Sequence, residues 1–67
     1  MNKLKQIREQ AGLSQSQLAE RAGVSLRTLQ DYEQERKPLE RAAAVTVLNL
    51  ARALNCTVEK LLDAETR

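Results

Sequence analysis

The sequence predicts an all-α fold of five short helices, and three observations lead there. Apolar residues recur three and four positions apart along most of the chain, and no stretch alternates apolar with polar as a half-buried strand does. Ser14, Ser25 and Thr57 each place a capping hydroxyl between an apolar residue one position before and another four positions after, the signature of a stapled helix start. Finally, Gln15 to Gln34, QSQLAERAGVSLRTLQDYEQ, divides into two amphipathic helices around a three-residue turn headed by glycine, the layout of a helix-turn-helix.

In chain order, Leu4, Ile7 and Ala11 define a first helix that Gly12 ends at about residue 11. The second runs from about Gln15 to Ala22, opened by Ser14, with Gln17 as the far half of a capping box. Gly23 then supplies the left-handed conformation that lets the chain leave it. The third helix spans Leu26 to Gln34. Across this pair Leu18, Ala22, Val24, Leu29 and Tyr32 face inward, and Ala19 is small enough for two helix axes to cross closely. ERKPLE is a connection, because Pro38 disfavours helical geometry at Lys37. The fourth helix, from about Arg41 to Leu54, carries a stripe of Ala44, Val47, Ala51 and Leu54 with Val45 and Leu48 beside it. That width suits a central buried helix or one that also serves an interface, with burial favoured. The fifth runs from Val58 to about Leu62. The expected core includes Leu18, Ala19, Val24, Leu29, Tyr32, Leu50, Ala51 and Leu54.

Residues 1–67 are expected to form a single domain, whose small core supplies no more than about 3–5 kcal/mol of net stability. One cysteine and no histidine leave no internal disulfide and no zinc site, so Cys56 reads as a small apolar core residue in a reducing compartment. The first ten residues are unlike a signal peptide and no apolar run approaches a membrane span, so a soluble, cytoplasmic protein is expected, with no membrane partner. Lacking histidine and a glycine-rich phosphate loop, the chain is expected to be no enzyme and to need no cofactor or metal. The net charge of +2 is weak evidence for a polyanionic partner, although residues 1–37 hold seven of the eleven basic residues.

LKQIREQAGLSQSQLAERAGVS, LQDYEQ and LARALNCTVEKLL, in that order and spacing, carry a resemblance over nearly the whole chain, Leu4 to Leu62. They resemble the phage repressor and Cro type of helix-turn-helix proteins, the XRE family. The resemblance implies a five-helix bundle of the lambda-repressor-like type with its helix-turn-helix core at residues 15–34. It further implies a DNA-binding transcriptional regulator, commonly a repressor, that binds operators as a dimer and is nucleoid-associated when bound.

Carried over by position, the reading helix begins at Ser25. Leu26, Arg27, Gln30 and Asp31 are expected to read bases: Arg27 through a planar fork that matches guanine O6 and N7, Leu26 through a thymine methyl group. Asp31 stands where relatives often place a neutral polar group; its carboxylate repels phosphate but can accept from a cytosine amino group. Gln15, Ser25, Gln34, Arg36 and Lys37 are expected at the DNA backbone, Gln15 at a helix start whose N–H groups and dipole favour phosphate. Arg8 and Glu33 correspond to an internal ion pair in relatives and are assigned to structure. Glu35 replaces a glycine frequent after the reading helix, so a longer or differently turned exit is expected there.

The expected function is therefore sequence-specific recognition of double-stranded DNA, with a homodimer on a palindromic operator. Dimer contacts are expected around the Asn55–Thr57 turn and Val58, Leu61 and Leu62, which a small chain has difficulty burying together. The alternative is a protein-interaction module, such as an antitoxin-like or regulatory partner, for which the broad fourth helix and low net charge speak.

Overall fold

Local chemistry at the helix ends explains most of the chain path. In the computed structural model, which describes residues 2–63, the elements are α1 (Leu4–Gln10), α2 (Gln15–Ala22), α3 (Leu26–Glu33), a 3-10 turn (Leu39–Arg41), α4 (Ala44–Ala53) and α5 (Val58–Leu61). Among the described residues there is no strand, and no helix is long and apolar enough to cross a membrane. The α2 start is a complete capping box: Ser14 Oγ accepts from the Gln17 N–H at 3.1 Å while Gln17 Oε1 accepts from the Ser14 N–H at 2.8 Å. Ser25 and Thr57 cap α3 and α5 through the N–H groups of Thr28 and Lys60, each at 3.1 Å.

The exits from α1 to α4 share one device. A residue with left-handed backbone follows each helix, Gly12 (φ 75), Gly23 (φ 70), Glu35 (φ 58) and Asn55 (φ 55). The next N–H then reaches back five residues: Leu13 to the Arg8 carbonyl, Val24 to Ala19, Arg36 to Asp31 and Cys56 to Ala51. This is the Schellman arrangement, which satisfies carbonyls that a helix end otherwise leaves without partners. Glu35 therefore makes the same exit as glycine, not the different turn expected of it, and it does so with a Cβ that disfavours that conformation.

Each element sends one leucine to the centre. Leu4, Leu18, Leu29, Leu39, Leu50 and Leu61 come from α1, α2, α3, the 3-10 turn, α4 and α5 respectively, and all are fully buried. Each removes apolar surface worth about 1.5–3 kcal/mol from water. Ala19 and Ala22 on α2 and Ala51 on α4 are buried with them, and α2 packs against both α3 and α4. Val24 and Tyr32 are only half-buried, packed against the edge of this core. The Lys3 N–H donates to the Leu61 carbonyl at 3.0 Å, tying the start of α1 to α5.

Three further expectations are corrected. The fourth helix starts at Ala44 rather than Arg41: burial of Leu39 pulls the chain into a 3-10 turn, and Ala42 is extended and Ala43 non-helical before α4 begins. Alanine is the best helix former, so tertiary anchoring here overrides propensity. Leu61 is fully buried within the chain and offers nothing to a dimer contact, whereas Val58 and Leu62 are half-buried. On α4 burial is confined to one side: Val47, Leu50 and Ala51 are enclosed, but Val45 and Leu48 are exposed. With Ala44, Leu48, Val58 and Leu62 the α4–α5 side forms an open groove of about 400 Å³.

Candidate nucleic-acid interface

The turn between α2 and α3 is fixed at both sides, by left-handed Gly23 before it and the Ser25 cap after it. Half-buried Val24 between them packs against the core, which sets the angle at which α3 leaves. Leu29 then anchors α3 inward. Because a helix advances about 100° per residue, Arg27 and Asp31 lie opposite Leu29 and Gln30 lies on the flank between, while Leu26, on the Leu29 side, is exposed as the first residue of the helix. Leu26 is 41% exposed, and the Arg27 side chain is 79% exposed. Gln30 is half-buried, and Gln34 is exposed just past the last helical residue. Ser25 is exposed at the helix start, where its hydroxyl also donates to Thr28 Oγ1 at 2.8 Å.

Beneath this face lies a polar chain linking three helices. Arg8 on α1 grips Glu33 on α3 with two bonds, Nε to Oε2 at 2.6 Å and Nη2 to Oε1 at 3.2 Å. Arg8 Nη1 also donates to the Leu13 carbonyl at 2.8 Å. The Glu33 side chain is only 1% exposed, so its charge is sustained by these bonds and by Gln15 Nε2, which donates to Oε1 at 3.0 Å. Gln15 Oε1 in turn accepts from Gln30 Nε2 at 3.4 Å. A buried ion pair thus orients Gln15, and Gln15 steers an amide on the exposed face of α3. The link from Gln15 to Gln30 is not legible in the sequence, because it joins residues on different helices that only the α2–α3 crossing brings together.

The departure at this face is Asp31. Expected to point at bases, it is only 7% exposed, and three cations surround its carboxylate. Arg27 Nε lies 3.6 Å from Oδ1, Arg36 Nη1 3.8 Å from Oδ1 and Lys37 Nζ 3.7 Å from Oδ2. The backbone explains the convergence. The turn at Glu35 brings the N–H groups of Arg36 and Lys37 onto the Asp31 carbonyl, at 2.9 and 3.4 Å, so both side chains emerge beside its carboxylate. The i,i+4 spacing of Arg27 and Asp31 signals one of these pairs. The other two depend on the left-handed turn at Glu35, where the sequence leads to a different exit.

Elsewhere, Cys56 is half-buried, and burial raises its thiol above its ordinary pKa despite the opposing charge of Lys60, which disfavours a reactive thiolate. Among the described residues no three histidine, cysteine or acidic side chains come together as a metal site.

Comparison with known proteins bears on this face. A family model described as helix-turn-helix matches residues 4–61, from the start of α1 to the end of α5. No curated protein matches the chain closely enough to count as a relative.

Proposed function

The chain belongs to the XRE family of helix-turn-helix DNA-binding transcription regulators, and from that premise we propose that it is a repressor whose α3 reads bases in the major groove. The observation that carries this reading is the two-sidedness of α3: Leu29 fully buried behind and Arg27 exposed in front, with Leu26 exposed at the start of the helix. Arg27 is the base reader, offering a guanidinium fork to guanine; Leu26 meets a thymine methyl group. Gln30, held by Gln15, presents an amide whose donor and acceptor suit adenine. Ser25, Gln15 and Gln34 border this face and meet the DNA backbone, as do Arg36 and Lys37 beyond the helix, where they supply charge without sequence information. Asp31 is withdrawn from the set of base readers, since its carboxylate is enclosed by cations.

One reading helix spans too few base pairs to distinguish a site within a genome, so the bound form is a two-fold dimer on a palindrome, with its two α3 helices about 34–36 Å apart. Val58 and Leu62, with exposed Leu48, are the apolar residues left to meet a second copy. The same exposed Val45 and Leu48 favour, as a second reading, attachment of a different protein to α4.

Binding titrations with single variants test the division of labour. Arg27→Ala should weaken the preferred site by about 1–3 kcal/mol and relax the choice of base at one position. Lys37→Ala should weaken preferred and random duplexes alike, and lower the salt slope by about one. Equal losses on both kinds of DNA for Arg27→Ala would remove its reading role.

A further inference from the structure

Two acids lie on α3, and they are treated oppositely. Glu33 is consumed by Arg8 and Gln15 through hydrogen bonds of 2.6 to 3.2 Å. Asp31 is ringed by Arg27, Arg36 and Lys37 at 3.6 to 3.8 Å, distances of ion pairing without short, directed hydrogen bonds. All three cations keep most of their side-chain surface in solvent, from 59% to 79%, while the Asp31 side chain is only 10% exposed. A carboxylate so placed resembles a phosphate oxygen pair already in position. The cations are drawn together by it, yet remain reachable from outside and bound loosely enough to exchange.

We propose that Asp31 is a specificity-determining positioning residue, an internal stand-in for a DNA phosphate that Arg27, Arg36 and Lys37 must leave, wholly or in part, to engage DNA. This rests on the DNA-reading function proposed above. Random duplex offers these cations only phosphates, so exchange from one anion to another yields little. The preferred site adds the guanine contact of Arg27, which the carboxylate has no means to imitate. Asp31 therefore lowers affinity for random DNA more than for the preferred site. It also holds the Arg27 stem one helical turn from its own backbone position, which restricts where the fork can reach.

The test measures wild type, Asp31→Asn and Asp31→Glu on a selected site and on random duplex across a range of salt concentrations. Asp31→Asn, nearly the same shape without the charge, should bind random duplex about three- to tenfold more tightly, with a salt slope steeper by up to about one. The selected site should gain less, so the ratio between the two falls. Asp31→Glu, which restores the charge, should return the ratio toward wild type, as a purely structural role for the residue would not require. Should Asp31→Asn fail to fold, Asp31→Gln provides the neutral side chain. A folded neutral variant with an unchanged ratio overturns the proposal, as does loss of preference at a single base pair, which would make Asp31 a base reader. Failure of wild type and every variant to bind any duplex at low salt overturns the DNA-reading function itself, and this role with it.

Discussion

At the scale of single residues, Arg8 and Glu33 couple stability to the placement of α3. Their side chains are 10% and 1% exposed, so removing one leaves the other charged, enclosed and without its main partner. Such a loss costs about 3–5 kcal/mol, comparable with all the stability a core of this size provides. Arg8→Ala is thus expected to be largely unfolded at room temperature, and circular dichroism during urea titration would show it. Glu35 is the opposite case. It holds φ 58 at the α3 exit, a conformation that costs a residue with a Cβ about 1–2 kcal/mol. Glu35→Gly removes that strain but loses part of the gain to the greater freedom of glycine in the unfolded chain. A net stabilisation of about 0.5–1 kcal/mol is expected, read as a higher urea midpoint at unchanged slope. Because the Schellman turn persists, Arg36 and Lys37 stay beside Asp31 and DNA binding is retained.

At the scale of elements, legibility follows how local the cause is. The starts of α2, α3 and α5 are readable because a capping hydroxyl and its flanking apolar residues lie within a few positions of one another. The pairing of Arg8 with Glu33 is implied by family resemblance, not by spacing, since 25 positions separate them. The segment before α4 is misread for a physical reason: three consecutive alanines signal helix, but the buried side chain that interrupts it, Leu39, belongs to the preceding connection. The same limit applies to Asp31, whose surroundings are made by a turn four residues further on. Leu39→Ala checks the anchor. It should cost about 2–5 kcal/mol, as for other buried leucines, and should increase amide exchange first across residues 39–47, where the 3-10 turn and the start of α4 depend on it. A loss below about 1 kcal/mol would mean that the alanines hold this segment without Leu39.

At the scale of the whole molecule, the five short helices among the described residues, none longer than ten residues, are held by shared burial more than by their own propensity. That construction leaves α3 buried on its inner side and open on its outer side, and the α4–α5 groove, where Leu48, Val58 and Leu62 meet, is lined by no residue of α3. The two proposed roles, base reading and contact with a second copy, therefore fall on different residues and can be tested by different substitutions. The central claim is that the exposed side of α3 selects bases. The most direct measurement is selection of bound sequences from a random duplex pool, carried out in parallel with wild type and Arg27→Ala. Wild type should enrich a two-fold symmetric site whose half-sites lie about 10 base pairs apart, and Arg27→Ala should enrich the same site with one position in each half relaxed. Enrichment of an identical site by both proteins, or of no site by wild type, would contradict it.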